Sequence, residues 1–171
     1  MKFEKLSVVV PCFNEEVTIE ELINRVKYPA RYDLELEIIV GDGGSTDGSN
    51  GKIRLLASNS DSIKFIEHPV SQGKGAALPS GLTKASGKIV LIQDTDLEYD
   101  PNEYPALLGA ILEGKADVVF GSRFSGGSFH RVLYFWHYIG NKILNLISNM
   151  FTDLNLTDMK TCFKIFRREI I

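Results

Sequence analysis

The chain has few cysteines, few histidines and no long apolar run, and each shortage excludes a class of protein. Its 171 residues include only two cysteines, Cys12 and Cys162, and three histidines, none of them spaced like a zinc site or a disulfide framework. The most apolar stretch, residues 132–154, is interrupted by Lys142 and Asp153, so uncharged runs stay well short of the ~20 residues that cross a bilayer. The amino terminus also lacks the apolar region of a secretory signal. We therefore expect a cytoplasmic protein.

The composition is that of one ordinary globular domain, and we expect residues 1–171 to form it, with 44% hydrophobic and 24% charged residues. The charge is unevenly distributed. Residues 1–120 contain 12 Lys and Arg against 19 Asp and Glu, whereas residues 121–171 contain 7 against 3. A basic end favours phosphates or lipid headgroups as partners, although a solvated basic face is the commoner meaning of so small an excess.

Short apolar runs alternate with helix-like segments, which predicts an α/β fold with a doubly wound, mostly parallel sheet. Asp100 followed by Pro101 has the pattern of a helix start, with a capping carboxylate and a proline in the first turn. The predicted strands are Leu6–Val10, Leu36–Val40, Ile63–Ile66, Lys88–Gln93 and Asp117–Gly121.

Ligands of open α/β sheets bind beyond the carboxyl ends of the strands, and acidic residues follow the fourth predicted strand. Asp94, Asp96 and Glu98 alternate there, so their carboxylates can converge as hard oxygen ligands for Mg²⁺ or Mn²⁺. The alternative is an acidic turn that caps the next helix. The position after an apolar strand and the third carboxylate favour the metal site.

Two glycine-rich turns are weaker signals for a nucleotide site. Asp42 lies in a turn after the second strand, where its carboxylate can accept hydrogen bonds from a base or ribose, although an ordinary tight turn explains the pattern equally well. Lys74 lies in a glycine-rich helix entry that can face an anion, or is a surface lysine. Neither turn has the G-x-G-x-x-G or Walker lysine pattern.

The final third of the chain offers phosphate-binding groups and an amphipathic helix. Arg123 and Arg131 have the planar fork that suits phosphates, although surface arginines are common. Between residues 132 and 154, apolar side chains recur at helical spacing behind an aromatic start. Core packing is the default interpretation of such a stripe, and a helix lying in a membrane interface is the alternative. The stripe consists of Trp136, Ile139, Ile143, Ile147, Met150 and Leu154.

Taken in order, several segments resemble family 2 glycosyltransferases, most closely the dolichyl- and polyprenyl-phosphate sugar transferases. The segments are residues 8–16, the Asp42 turn, residues 72–77, 93–100, 121–123 and 156–167. The resemblance implies the GT-A (Rossmann-like) nucleotide-diphospho-sugar transferase fold, a mostly parallel central sheet with helices on both faces. It also implies inverting transfer of a hexose from a GDP- or UDP-linked sugar to a polyprenyl or dolichyl phosphate. The cofactor would be Mg²⁺ or Mn²⁺, and nucleic acid would not be a partner.

Carried over by motif, the resemblance assigns roles to individual residues of this chain. Asp96, Arg123 and Arg131 would be catalytic, and Asp94, Asp96 and Glu98 would hold the metal. The nucleotide sugar would be bound by Pro11, Phe13, Asn14, Glu15, Asp42, Lys74, Asp94 and Thr95.

The chain departs from the family pattern at three positions and at its end. The family usually carries a second acidic residue at Gly43, asparagine at Ser71 and often arginine at Pro79. Similar proteins also continue beyond Ile171 with elements on the acceptor side. Three interpretations stay open: a lipid-phosphate glycosyltransferase acting peripherally at the cytoplasmic face of a membrane, a glycosyltransferase with a soluble or protein acceptor, and an inactive nucleotide-sugar-binding module.

Overall fold

The computed structural model describes residues 4–27, 34–70, 73–97, 99–122 and 134–171. Six strands form one sheet in the order β3-β2-β1-β4-β6-β5, in which β1 to β4 are parallel and β6 runs antiparallel to both neighbours. The strands are β1 (Lys5–Cys12), β2 (Glu35–Asp42), β3 (Ile63–Glu67), β4 (Ile89–Ile92), β5 (Val118–Phe120) and β6 (Lys164–Arg167). The helices are α1 (Ile19–Lys27), α2 (Ser49–Ser58), α3 (Lys74–Lys84), α4 (Tyr104–Leu112) and α5 (Phe135–Thr152), with single 3-10 turns at Pro101–Glu103 and Arg168–Ile170.

All five predicted strands are confirmed, but β6 was not predicted. Its four residues are two apolar side chains between a lysine and an arginine, too short a run to indicate a strand from pattern alone. It lies between β4 and β5, pairing Ile92 with Lys164 and Phe120 with Lys164. The predicted start at Asp100 is also confirmed, since its carboxylate accepts a hydrogen bond from the backbone nitrogen of Asn102 at 2.9 Å.

Alternate residues of the central strands pack against helices on opposite faces of the sheet, which confirms the layered α/β architecture. On one face, Val8 and Ile38 belong to the large cluster that α1, α2 and α4 cover. On the other face, Val9 and Ile39 pack with Leu78 and Leu82 of α3. The period of two along β1 and β2 therefore divides their side chains between two cores.

Helix α5 lies outside both cores, and its two faces differ. Asn145 is its only buried residue, and the Asn145 amide donates to the carbonyl of Thr157 at 2.7 Å and accepts from the nitrogen of Met159 at 3.0 Å. Asn149 makes the same pair of bonds with Leu156, at 2.9 and 3.0 Å. These two amides therefore attach the helix to the segment that leads into β6.

The apolar stripe of α5 is exposed. Trp136 is 78% exposed and Met150 is 74% exposed, Ile143, Ile147 and Leu154 are exposed as well, and Ile139 is half-buried. At helical spacing this stripe lies opposite Asn145 and Asn149. Core packing is therefore the wrong interpretation of the stripe within the described part of the chain. Among the described helices, none combines the length and apolarity that crossing a bilayer requires.

Candidate active site

Three loops leave the same edge of the sheet. The parallel register aligns Cys12 with Asp42 and Val9 with Ile92, so the carboxyl ends of β1, β2 and β4 open at one side. This is the edge at which open α/β sheets bind their ligands. The loops are residues 13–18 after β1, residues 43–48 after β2 and residues 93–97 after β4.

The first two loops are joined by reciprocal hydrogen bonds. The backbone nitrogen of Asn14 donates to Ser45 Oγ at 2.8 Å, while Asn14 Oδ1 accepts from the nitrogen of Thr46 at 2.8 Å. Next along the chain, the nitrogen of Glu15 donates to Ser49 Oγ at 2.9 Å. Asn14 has a φ of 54°, a conformation that asparagine tolerates better than most residues. The predicted nucleotide residue Asn14 thus fixes the second loop in place.

The pairing of these loops continues through two carboxylates. Asp47 Oδ2 accepts from the nitrogen of Glu16, and Glu16 Oε2 accepts from the nitrogen of Gly48, both at 3.1 Å. Lys52 of α2 donates to the carbonyl of Glu16 at 2.9 Å. Because each loop satisfies polar groups of the other, the two form one rigid wall beside the edge of the sheet.

Asp42 is fully buried at the end of β2, where its carboxylate organises the turn that follows. Oδ2 accepts from the backbone nitrogens of Gly44 at 2.9 Å and Ser45 at 2.8 Å, and Oδ1 accepts from the hydroxyl of Ser45. Asp42 therefore shapes the turn directly. Its contact with a base or ribose stays a prediction.

The loop after β4 brings two aspartates and a cysteine together. One ligand atom from each of Asp94, Asp96 and Cys162 lies within 4.8 Å of the others. Thr95 between the aspartates is buried, and its nitrogen donates to Asp94 Oδ1 at 3.3 Å. Asp96 is exposed and Asp94 half-buried. Two carboxylates in reach of one point fit a hard divalent cation such as Mg²⁺ or Mn²⁺, and the sulfur would suit a softer ion.

The backbone beyond Asp96 adopts a costly conformation. Leu97 has a φ of 57°, and a non-glycine residue in that region costs on the order of 1–3 kcal/mol. The side chain of Leu97 packs against the large core cluster, which holds this turn in place. Strained backbone of this kind concentrates at functional sites, which agrees with the acidic pair beside it.

The two cysteines are neutral thiols. Burial, and then the hydrogen bond to Asp94, raise the pKa of Cys162 to about 12. Its Sγ donates to Asp94 Oδ2 at 3.0 Å. Burial, with the nearby carboxylate of Asp42, likewise raises the pKa of Cys12 to about 12. Since the thiolate is the reactive form, neither residue is a nucleophile near neutral pH.

Close backbone packing closes one side of the site. A Cβ on Gly43 would lie 2.3 Å from the carbonyl oxygen of Gly73, and the nitrogen of Gly73 donates to the carbonyl of Gly43 at 3.1 Å. A Cβ on Gly41 would meet the carbonyl oxygen of Ala77 in α3 at 2.6 Å. The glycine where the family usually has an acidic residue therefore permits the entry of α3 to approach the turn after β2.

The structure brings most of the predicted site residues to one edge and leaves some undescribed. Lys74 is the first residue of α3, but its side chain lies outside the described part of the chain, as do Glu98, Arg123 and Arg131. The chain leading to Arg123 passes the site, because the nitrogen of Gly121 donates to the carbonyl of Phe163 at 2.9 Å. The predicted residues at this edge are Pro11, Phe13, Asn14, Glu15, Asp42, Asp94, Thr95 and Asp96.

Sequence reasoning missed the contributions of Cys162 and Ser45. Cys162 lies in a segment that resembles the family, but only the antiparallel register of β6 brings it to Asp94. Ser45 lies inside the predicted turn after Asp42, and aspartates in turns commonly bond the local backbone. The reach of Ser45 to Asn14 spans 31 residues, which no local pattern indicates.

The chain belongs to glycosyl transferase family 2, whose model matches residues 7–171. Dodecaprenyl-phosphate galacturonate synthase from Rhizobium johnstonii is 30% identical over 175 residues, which cover 98% of this chain and 49% of the relative. Dolichol-phosphate mannosyltransferase from Pyrococcus furiosus is 35% identical over 123 residues, which cover 72% and 34%. The chain thus spans about half the length of the first relative and about a third of the length of the second.

The fold is also found in solved glycosyltransferases. Glucosyl-3-phosphoglycerate synthase from Mycobacterium tuberculosis, in complex with Mn²⁺, uridine-diphosphate-glucose and phosphoglyceric acid, superposes with a TM-score of 0.71 at 28% identity. The match covers 98% of this chain and 58% of the other. Together with the family match, this likeness confirms the GT-A fold that the sequence resemblance implied.

Proposed function

We propose that this chain is the nucleotide-sugar-binding part of a glycosyltransferase that transfers a hexose from a GDP- or UDP-linked sugar to a polyprenyl or dolichyl phosphate. The observation that carries the proposal is the position of Asp94 and Asp96, which meet at the carboxyl edge of the sheet beside two interlocked loops. The names of the relatives support a polyprenyl-phosphate acceptor, and the Mn²⁺ complex of the structural neighbour supports a divalent cation.

In this proposal Asp94, Asp96 and Glu98 would hold a divalent cation. When bound, the cation supplies Lewis-acid stabilisation of the negative charge on the departing nucleotide diphosphate. Phe13, Asn14 and Glu15, in the loop after β1, orient the nucleotide. Its pocket is completed by Pro11, Asp42, Lys74 and Thr95. Arg123 and Arg131 bind phosphate oxygens of the donor or acceptor.

No general base is assigned. A phosphate monoester has a second pKa of about 6, so the attacking oxygen of a lipid phosphate is already anionic near neutral pH. The chain then has to bring this anion beside the donor and keep water away. The arginines suit that task because they carry a fixed charge and donate two parallel hydrogen bonds.

The exposed stripe of α5 supports a membrane-bound acceptor. Trp136, Ile143 and Met150 present apolar surface to solvent, while Asn145 and Asn149 attach the opposite side to the segment leading into the site. In the interfacial arrangement that we propose, this stripe lies in the headgroup region and sets the acidic edge at the height of a lipid phosphate. The basic excess of residues 121–171 would add attraction to anionic lipid.

A soluble acceptor is the second candidate, favoured by one observation. The structural neighbour forms a complex with phosphoglyceric acid, a small soluble phosphate. Transfer assays with purified chain, Mn²⁺ and a panel of UDP- and GDP-sugars distinguish the two, with undecaprenyl phosphate in one arm and 3-phosphoglycerate in the other. Product in the lipid arm alone supports the proposal, and product in the soluble arm alone contradicts it. Nucleotide-sugar binding without turnover in either arm indicates an inactive binding module.

Liposome flotation tests the membrane contact. The wild-type chain should float with vesicles, more strongly with anionic lipid, and the emission of Trp136, the only tryptophan, should shift to shorter wavelength. Met150→Asp should abolish flotation. The matched control is Leu55→Asp, which places the same charge on an exposed leucine of α2 and should float normally. Equal loss in both variants, or no flotation of the wild type at low salt, would rule out this surface.

A further inference from the structure

Cys162 faces Asp94 because of how β6 enters the sheet. β4 and β6 are antiparallel and pair Ile92 with Lys164. Each step forward from β4 is therefore matched by one step back from β6, and two steps bring Asp94 opposite Cys162. The observed distance of 3.0 Å between Cys162 Sγ and Asp94 Oδ2 agrees with that continued register.

The residues next to Asp94 and Cys162 both contact the buried side chain of Tyr104. Tyr104 donates its hydroxyl to Gln93 Oε1 at 2.8 Å, and Gln93 Nε2 donates to the carbonyl of Asp94 at 2.9 Å. The ring of Tyr104 also packs edge-on against Phe163, the residue after Cys162, with centroids 5.6 Å apart. The backbones on both sides of the Sγ to Oδ2 contact are thus fixed by one side chain, so the contact itself is held in register.

We propose that Cys162 is a positioning residue for Asp94, whose thiol hydrogen bond to Oδ2 holds the carboxylate in the orientation from which it binds the cation with Asp96. This inference rests on the proposed function, since it gives the cation site a supporting group. Removing a group that orients a metal ligand typically lowers metal affinity or activity by about 10- to 100-fold. Cys162 does not touch the reacting groups in this role.

Two substitutions separate the hydrogen bond from packing. Cys162→Ala removes the donor, whereas Cys162→Ser keeps a donor of similar size at the same place. We expect the apparent affinity for Mn²⁺, measured by calorimetry in the presence of UDP or GDP, to fall roughly 10-fold or more in Cys162→Ala. Most of the affinity should return in Cys162→Ser, and binding of the nucleotide without metal should be unchanged in both.

A structural readout makes the test independent of metal binding. A crystal structure of metal-free Cys162→Ala should show the Asp94 carboxylate in a different rotamer from the wild type, while Cys162→Ser should keep the original one. An unmoved Asp94 in Cys162→Ala, or equal loss of Mn²⁺ affinity in both variants, would overturn the proposal. If Asp94 moves as expected but the wild type binds no Mn²⁺ with nucleotide, the positioning contact stands and the proposed function fails.

Discussion

Glu37 and Asp94 are both carboxylates near the ends of strands, but they lie at opposite edges of the sheet and differ in what surrounds them. Glu37 is 2% exposed and accepts hydrogen bonds from Lys64, Ser7 and Ser86. Asp94 accepts bonds from a thiol and a backbone nitrogen, and a second carboxylate, Asp96, lies within its reach. The amino edge therefore pairs its carboxylate with a lysine ammonium, whereas the carboxyl edge brings two carboxylates within reach of one point, an arrangement that fits a divalent cation.

The strongest test of this difference is the loss of Glu37. Glu37→Ala should lower the free energy of unfolding by about 2–4 kcal/mol, because Ser7 and Ser86 lose their shared acceptor, while the half-exposed ammonium of Lys64 can turn to water. Denaturant unfolding measures the change. Glu35→Ala is the control, since Glu35 pairs with Lys5 while its side chain stays 69% exposed, and such pairs contribute about 1 kcal/mol or less. Similar losses in the two variants would show that the bonds to Glu37 contribute no more to stability than an exposed ion pair does.

The pKa of Glu37 also predicts how the free energy of unfolding depends on pH. Burial favours the protonated form of Glu37, but hydrogen bonds from Lys64, Ser7 and Ser86 outweigh it and lower the pKa from 4.5 to about 2. Because the pKa of Glu37 is lower in the folded state, the stabilisation of the fold by its ionised carboxylate is complete above pH 4.5 and is lost as the pH falls toward 2. We expect about 3 kcal/mol to disappear over that window, at about 1.4 kcal/mol per pH unit.

Urea unfolding at several pH values measures this loss, with Glu37→Gln as the comparison. The glutamine variant carries no charge to titrate and should show a flatter profile between pH 4.5 and 2. Parallel profiles for the wild type and Glu37→Gln would assign the acid sensitivity to other carboxylates.

At the carboxyl edge, we expect a substitution to reduce binding and to leave stability unchanged, the reverse of Glu37→Ala. Asp96→Asn should weaken metal-dependent binding of UDP or GDP by about 100-fold, since losing a ligand should cost at least as much as losing a group that orients one, about 10- to 100-fold. Its unfolding free energy should stay within about 0.5 kcal/mol of the wild type, because an exposed side chain is replaced. Asp61→Asn, at an exposed aspartate before β3, is the control and should change neither quantity. Calorimetry with and without Mn²⁺ measures the binding, and unchanged binding in Asp96→Asn would remove Asp96 from the metal site.

The sequence predicted the acidic edge better than the groups that support it. Asp94 and Asp96 follow a buried strand at alternating positions, a local pattern that a reader of the chain can find. Cys162 lies 68 residues from its partner Asp94, and Glu37 lies 49 residues from Ser86. Such contacts depend on strand order and register, which local periodicity does not contain.

The outcome for α5 has the same physical cause. The stripe from Trp136 to Leu154 has the period of an amphipathic helix, and that period is the same whether a protein core or a membrane covers it. Sequence therefore predicted the helix and left its environment open. Of the two interpretations, core packing and an interfacial helix, the exposure of Met150 and Ile147 excludes core packing by the described residues.

The smallest expected effect concerns Gly43, whose backbone packs against Gly73 beside the carboxyl edge. Because a Cβ there would lie 2.3 Å from the carbonyl oxygen of Gly73, Gly43→Ala has to push two backbone segments apart. Overpacking of this kind costs about 1–3 kcal/mol. The control is Gly51→Ala in α2, where a Cβ meets nothing within 4 Å and alanine should raise stability by about 0.5–1 kcal/mol.

Gly43→Asp extends the test to the departure from the family pattern. If the entry of α3 occupies the space that the acidic side chain uses in relatives, restoring the acid should lower both stability and nucleotide affinity. Thermal unfolding and calorimetry with UDP or GDP measure the two quantities in the same three variants. A gain in nucleotide affinity in Gly43→Asp, without loss of stability, would mean that the turn after β2 readily opens to accept a side chain. The close approach of Gly43 and Gly73 would then be one of two arrangements of this turn, and the entry of α3 would not be fixed against it.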